Sequence, residues 1–255
     1  MNGREYKLLY MDTNVLNAFA KNTNFFSKNF MESYAMGGYM FVTSVFNLYE
    51  VYQTQGESRA NLLKIFDMFP IGIVIYVQQI IEYERMNIPI NKNILMFAIG
   101  NNELFNLNMS KVFDMFEEDE TKKAIEKMHK NFNKEMKSWN AKKEKIKWME
   151  NFDLNMIDSM NDSFSIYDSY FKITELGKHK SLETLAYIKN KYIYDKDEEI
   201  KINSVIDAYN ASIFPYIDVY VTERTVGAWL KEAKRKLTYL EGHDIKTISE
   251  IWNKV

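Results

Sequence analysis

Four short apolar runs, each bordered by a helix-like segment, constrain this chain more than any other feature. They are YKLLYM at 6–11, YMFVT at 39–43, IGIVIYV at 71–77 and IDVYVT at 217–222. Brief, nearly continuous apolar runs mark strands buried on both faces. Helical patterns separate them: 13–36, broken near 22–24; a stretch carrying FNLYEVYQ that Ser44 can cap; 58–69, ended by Pro70; and 224–237. Strands alternating with helices imply a mainly parallel sheet with helices on both faces. A last short strand is expected near 244–247.

From about residue 78 to 200 the pattern changes. No convincing strand is visible and charge rises. Ile125, Met128, Phe132, Met136, Trp139, Ile146 and Met149 recur at helical spacing, which predicts one long helix over 121–149. Further helices are expected over 181–192 and over 200–214, where Pro215 interrupts. The expected organisation is an α/β core formed by 1–80 and 200–255, with 81–199 as a helical insertion or subdomain.

Composition narrows the chemistry. The 255 residues carry 33 basic and 35 acidic side chains, a net charge of −2, so any surface for a polyanion must be local. There is no cysteine, and the three histidines are scattered, so a metal site would be built from oxygen ligands, which favours Mg²⁺ or Mn²⁺. No apolar run approaches the roughly 20 residues of a membrane span, and the expected location is cytoplasmic.

The acids supply the candidate site. Asp12 directly follows the first strand, where ligands bind in open parallel sheets. On its own, an Asp there is more often a helix cap. Thr13 and Asn14 can close the turn. Glu50 lies seven residues after Ser44 in an apolar stretch, and Asp207 lies among Val205, Ile206, Ala208 and Tyr209. Asp218 begins the strand IDVYVT and Glu223 follows it directly, in a place equivalent to that of Asp12. Carboxylates brought together repel unless a cation or a proton is shared.

The ordered set LLYMDTNVL, FVTSVFNLYE, VIDAYNAS and VYVTER resembles the PIN-domain ribonuclease superfamily, over roughly 5–77 and 200–240. The resemblance implies a PIN-like three-layer α/β/α fold and a metal-dependent endoribonuclease. Asp12, Glu50 and Asp207 match its three core acids, and Thr222 matches the Thr of its last motif. Glu223 stands where the pattern has Asp, one methylene longer, and Asp218 is the alternative fourth ligand. The middle insertion has no counterpart in the short toxins of the superfamily.

Two basic stretches are candidates for an RNA surface. Residues 121–149 hold ten lysines against three glutamates, interleaved with Phe132, Trp139 and Trp148. The aromatics can offer stacking surface or can simply be core. Lys231, Lys234 and Arg235 follow the last acidic motif closely and are the preferred phosphate contacts. The leading expectation is an RNA-cutting enzyme, in the role of a toxin or phage-defence effector. DNA is the alternative substrate, and an inhibitor or regulatory protein and a homodimer are compatible with it. A PIN-like scaffold without catalysis, binding RNA or protein, is the competing reading. A haloacid-dehalogenase-type phosphatase ranks low, because Asn14 stands where that family needs a second Asp.

Overall fold

The computed structural model describes residues 6–22, 32–68, 70–100, 108–145, 154–164, 172–195 and 198–252. Six strands, β1 (Lys7–Met11), β2 (Tyr39–Ser44), β3 (Ile71–Val74), β4 (Met96–Ile99), β5 (Val219–Thr222) and β6 (Asp244–Thr247), form one sheet in the order β4-β3-β2-β1-β5-β6. All neighbours run parallel except β3 and β4. The strands lie on the apolar runs because both faces are covered. Leu8 and Tyr10 point into one hydrophobic cluster, Leu9 and Met11 into another, and none of the four is more than 1% exposed.

The helices Thr13–Lys21 and Gly56–Met68 pack on the Leu9 face, and Arg224–Lys236 packs on the Leu8 face. The chain thus winds outward from β1 in both directions, with helices changing face as crossovers of one hand require. The result is helix–sheet–helix layering around a mostly parallel sheet. Its switch point lies between β1 and β5, which neighbour each other although some 200 residues separate them.

Two expectations about the middle are corrected. A strand does occur there: β4 pairs antiparallel with β3 at the sheet edge. It has four residues, and Phe97 is nearly half exposed, so neither length nor alternation marks it in sequence. The long helix begins at Asp119 rather than 121 and runs to Lys145; Ile146, Trp148 and Met149 lie outside the described residues. The third strand also stops at Val74, and Val77 belongs to the next helix, Val77–Arg85.

The middle helices share the core of the sheet. Phe132 and Trp139 from the 119–145 helix, Met160, and Leu185 and Tyr192 from the helix Lys180–Asp195 join the cluster that holds Leu8 and Tyr10. Phe132 sits between Phe46 and Tyr209, with both ring centroids at 5.2 Å. These aromatics are therefore core and offer no stacking face. Polar ties reinforce the junction. Glu84 Oε1 accepts from Ser181 N at 2.8 Å, in the first turn of the 180–195 helix, and from Tyr216 Oη at 2.7 Å. Asn140 exchanges two hydrogen bonds of 2.9 Å with the backbone of Ile200. Among the described residues, no helix is long and apolar enough to cross a membrane.

Candidate active site

Parallel pairing puts the ends of β1, β2 and β5 at one edge of the sheet, and each strand is followed at once by a helix. Asp12, Ser44 and Glu223 are the N-caps of those helices. Three helix N-termini therefore open onto the same edge, each favouring negative charge. Asp12 is both cap and candidate ligand. Its Oδ1 accepts from Val15 N at 2.9 Å, while Oδ2 accepts from Thr222 Oγ1 and, at 3.3 Å, from Glu223 N. Thr222 is buried and acts on Asp12, fixing its carboxylate across the switch point.

Glu50 stands on the helix Val45–Gln53 and accepts a hydrogen bond from Thr13 Oγ1, which joins the second strand–helix unit to the first. Asp207 comes from the helix Ile202–Ala211, and its Oδ2 accepts from Tyr192 Oη at 3.3 Å. Asp12, Glu50 and Asp207 line a polar cleft of about 290 Å³, together with Thr13, Asn14 and Asn47. Below it lies a network that sequence reasoning missed. Asn47 Nδ2 donates to Met11 O at 3.1 Å and to Tyr10 Oη at 3.0 Å, and Asn210 Nδ2 donates to Asn47 Oδ1 at 3.0 Å. The one signal for it was an Asn in each of two apolar helical stretches, FNLYE and YNAS.

Three expected positions are corrected. Asp218 precedes β5 and so lies at the opposite edge from Glu223. Its Oδ2 accepts from Leu8 N at 2.7 Å, near the start of β1, and it borders a larger cavity of about 850 Å³ with Lys92 and His243. It cannot serve as the fourth acid. Lys234 and Arg235 occupy the last turn of the Arg224–Lys236 helix, which starts at the acidic edge and runs back along the sheet. Thirteen residues at about 1.5 Å each carry them across the molecule. Lys234 Nζ meets His243 O at 2.6 Å, just before β6 begins, and Lys231 pairs with Glu250 at 2.5 Å. Arg224, exposed and directly after Glu223 in sequence, is the basic residue that opens this helix.

No family model, curated protein or solved structure matches this chain. What the site can do rests on its own chemistry.

Burial pushes the Asp12 carboxyl up to about 6, against the hydrogen bonds from Thr222 and Val15 that favour its charge. Burial also takes Asp207 up to about 7, with further repulsion from Asp12, Glu223 and Glu50. Glu50 is raised by burial, offset in part by Thr13 and His129. Asp207 thus feels the three other acids and Asp12 feels Glu223, and among the described residues none of the four forms a salt bridge with a lysine or arginine. An all-oxygen set, with Asp12 and Asp207 desolvated and no lysine or arginine paired to it among the described residues, suits a hard divalent ion in chemistry. Its spacing is open: among the described residues, no three His, Cys, Asp or Glu stand close enough to share one ion.

A pH prediction follows from the sign of these shifts. A carboxyl whose folded pKa is raised binds its proton more tightly when folded. The cost is absent below the unfolded value near 4 and grows as pH rises through the folded value. Asp12 and Asp207 act this way, and so does Glu84, which burial takes to about 7. Without divalent ions, the melting temperature is expected to fall between pH 5 and pH 7. The Asp12→Asn, Asp207→Asn double variant should flatten that slope. Calorimetric scans in chelator at pH 5, 6 and 7 check it, and equal slopes for the two proteins would refute the assignment.

Proposed function

We propose that this chain is a PIN-like, divalent-metal-dependent nuclease that hydrolyses phosphodiester bonds in RNA. The observation that carries the reading is the acidic edge itself. Asp12, Glu50 and Asp207 line one cleft at the switch point and Glu223 caps the helix after β5; burial and their acidic neighbours raise the proton affinity of Asp12 and Asp207, and none of the four has a lysine or arginine partner among the described residues. A fold keeps such repulsion where a ligand relieves it.

Asp12, Glu50, Asp207 and Glu223 would hold Mg²⁺ or Mn²⁺. When bound, the ion supplies an activated water and charge stabilisation at the scissile phosphate. The chain's own part is positioning. Thr222 and Val15 N hold Asp12 in one rotamer, Thr13 steers Glu50, and Tyr192 steers Asp207. The N-termini of the helices after Asp12, Ser44 and Glu223 favour the phosphate's charge, and the exposed Arg224 would be available to a phosphate oxygen.

A second reading, a PIN-like scaffold without catalysis, is favoured by the open spacing of the acids. One experiment separates the two. A mixed RNA pool and a matched DNA pool are incubated with the protein in Mn²⁺, in Mg²⁺ and in chelator, beside melting curves in each. The nuclease reading expects cleavage of RNA with either ion and none in chelator. It also expects a melting temperature that rises with Mn²⁺ concentration by mass action. No cleavage of either pool, with melting unmoved by metal, would leave the scaffold.

A further inference from the structure

A second polar pocket, of about 570 Å³, opens between the 119–145 helix, the helix Leu154–Phe164 and the 180–195 helix, apart from the acidic cleft. Its wall holds four lysines, Lys127, Lys134, Lys142 and Lys189, against two acids, Glu135 and Asp162. Lys127 and Lys134 are exposed, Lys142 is half-buried and paired with Asp162, and Lys189 is 3% exposed.

Lys189 is an expensive residue to bury. It donates to Ser163 Oγ at 2.9 Å and lies 5.7 Å from the centroid of the buried Trp139 ring. Burial and the neighbouring Lys142 press its proton affinity down, with Glu135 opposing. An internal Lys–Glu pair would account for the lysine if Glu135 were committed to it. Glu135 is not: its Oε1 accepts from Tyr209 Oη, and its Oε2 is buried with no partner among the described residues. The pocket's lining therefore holds more lysines than acids, together with a carboxylate whose second oxygen is buried and without a partner among the described residues.

We propose that this pocket binds a small phosphate ester carrying free hydroxyls, of the sugar-phosphate or nucleoside-monophosphate class. The phosphate balances the lysine excess, and a hydroxyl of the sugar supplies the donor that Glu135 Oε2 lacks. The volume lies in the range of small-molecule sites and exceeds what a bare phosphate fills. The site does not depend on the nuclease reading, since none of its wall belongs to the acidic cleft. It is joined to that cleft by two contacts: Glu135 to Tyr209, on the helix of Asp207, and Tyr192, one turn after Lys189, to Asp207 itself.

The test is titration calorimetry of the full chain with ribose 5-phosphate, AMP and inorganic phosphate, in chelator so that the metal cleft stays out of play. Ribose 5-phosphate or AMP should bind more tightly than inorganic phosphate, and the stronger of the two names the class. Lys142→Gln, at the rim, should weaken that binding about tenfold, and Lys189→Met should remove it. Asp12→Asn should bind as the wild type does. Glu135→Gln should narrow the margin over inorganic phosphate. No heat with any probe, equal affinity for all three, or binding unmoved by both lysine variants would overturn the proposal. So would a 5′-phosphorylated RNA that binds here when neither small ester does.

Discussion

Asp12→Asn is expected to abolish metal-dependent cleavage, by roughly 10³-fold or more, while leaving a folded protein. The substitution keeps the shape, and Oδ1 can still cap the helix through Val15 N. It loses the charge and the weaker bond from Glu223 N, at 3.3 Å. The buried carboxyl, raised from 3.8 to about 6, costs the fold up to about 3 kcal/mol when ionised. Losing the Glu223 bond costs about 1 kcal/mol. The variant should therefore be about 1–2 kcal/mol more stable than the wild type at pH 8 in chelator. That advantage should shrink as pH falls below 6 and vanish near pH 4, where the carboxyl is protonated in the folded and the unfolded state alike. Cleavage assays and melting curves on one preparation read both effects. Full activity in the variant would remove Asp12 from the site, and lower stability at pH 8 would refute the electrostatic account.

Phe132→Ala should be the most damaging single change to the fold, costing about 3–5 kcal/mol. The ring is 2% exposed and lies between Phe46, which follows β2, and Tyr209, on the helix of Asp207. Truncation opens a cavity where the long helix meets the α/β core. Because both belong to one hydrophobic cluster, the loss should appear in a single cooperative transition. Denaturant unfolding followed by far-ultraviolet circular dichroism and by tryptophan fluorescence checks this, since Trp139 and Trp229 report from the two regions. Two separate transitions, with the Trp229 signal unmoved, would show that the middle region folds apart.

The contrast between what could be read early and what could not follows from range. The strands were legible because a buried parallel strand must be apolar at nearly every position, as LLYM and VYVT are. Asp12 and Glu223 were legible as a pair because each ends such a run, and parallel strands end on one side. Ser44 and the helix starts followed from the same local grammar, and Thr222 from the resemblance. Asp218 was misplaced because a resemblance orders motifs along the chain without saying which end of a four-residue strand faces the site. The basic cluster was misplaced for a related reason. Being close in sequence to Glu223 put Lys234 and Arg235 on the same helix, and a helix of that length carries its last turn to the other edge.

By itself the sequence determined the elements and the edge. Apolar period, caps and turns act within a few residues, and they were enough to define a parallel sheet with acids at its carboxyl ends. Only the tertiary structure decided which polar groups meet. Asn47 finds Asn210 across 163 positions, Thr222 finds Asp12 across 210, and Glu135 finds Tyr209 across 74. Each such contact is a hydrogen bond made to satisfy a group buried by packing, and packing depends on the whole chain. The proton affinities of the acids belong to the same class, because desolvation and repulsion exist only once the layers have closed around them.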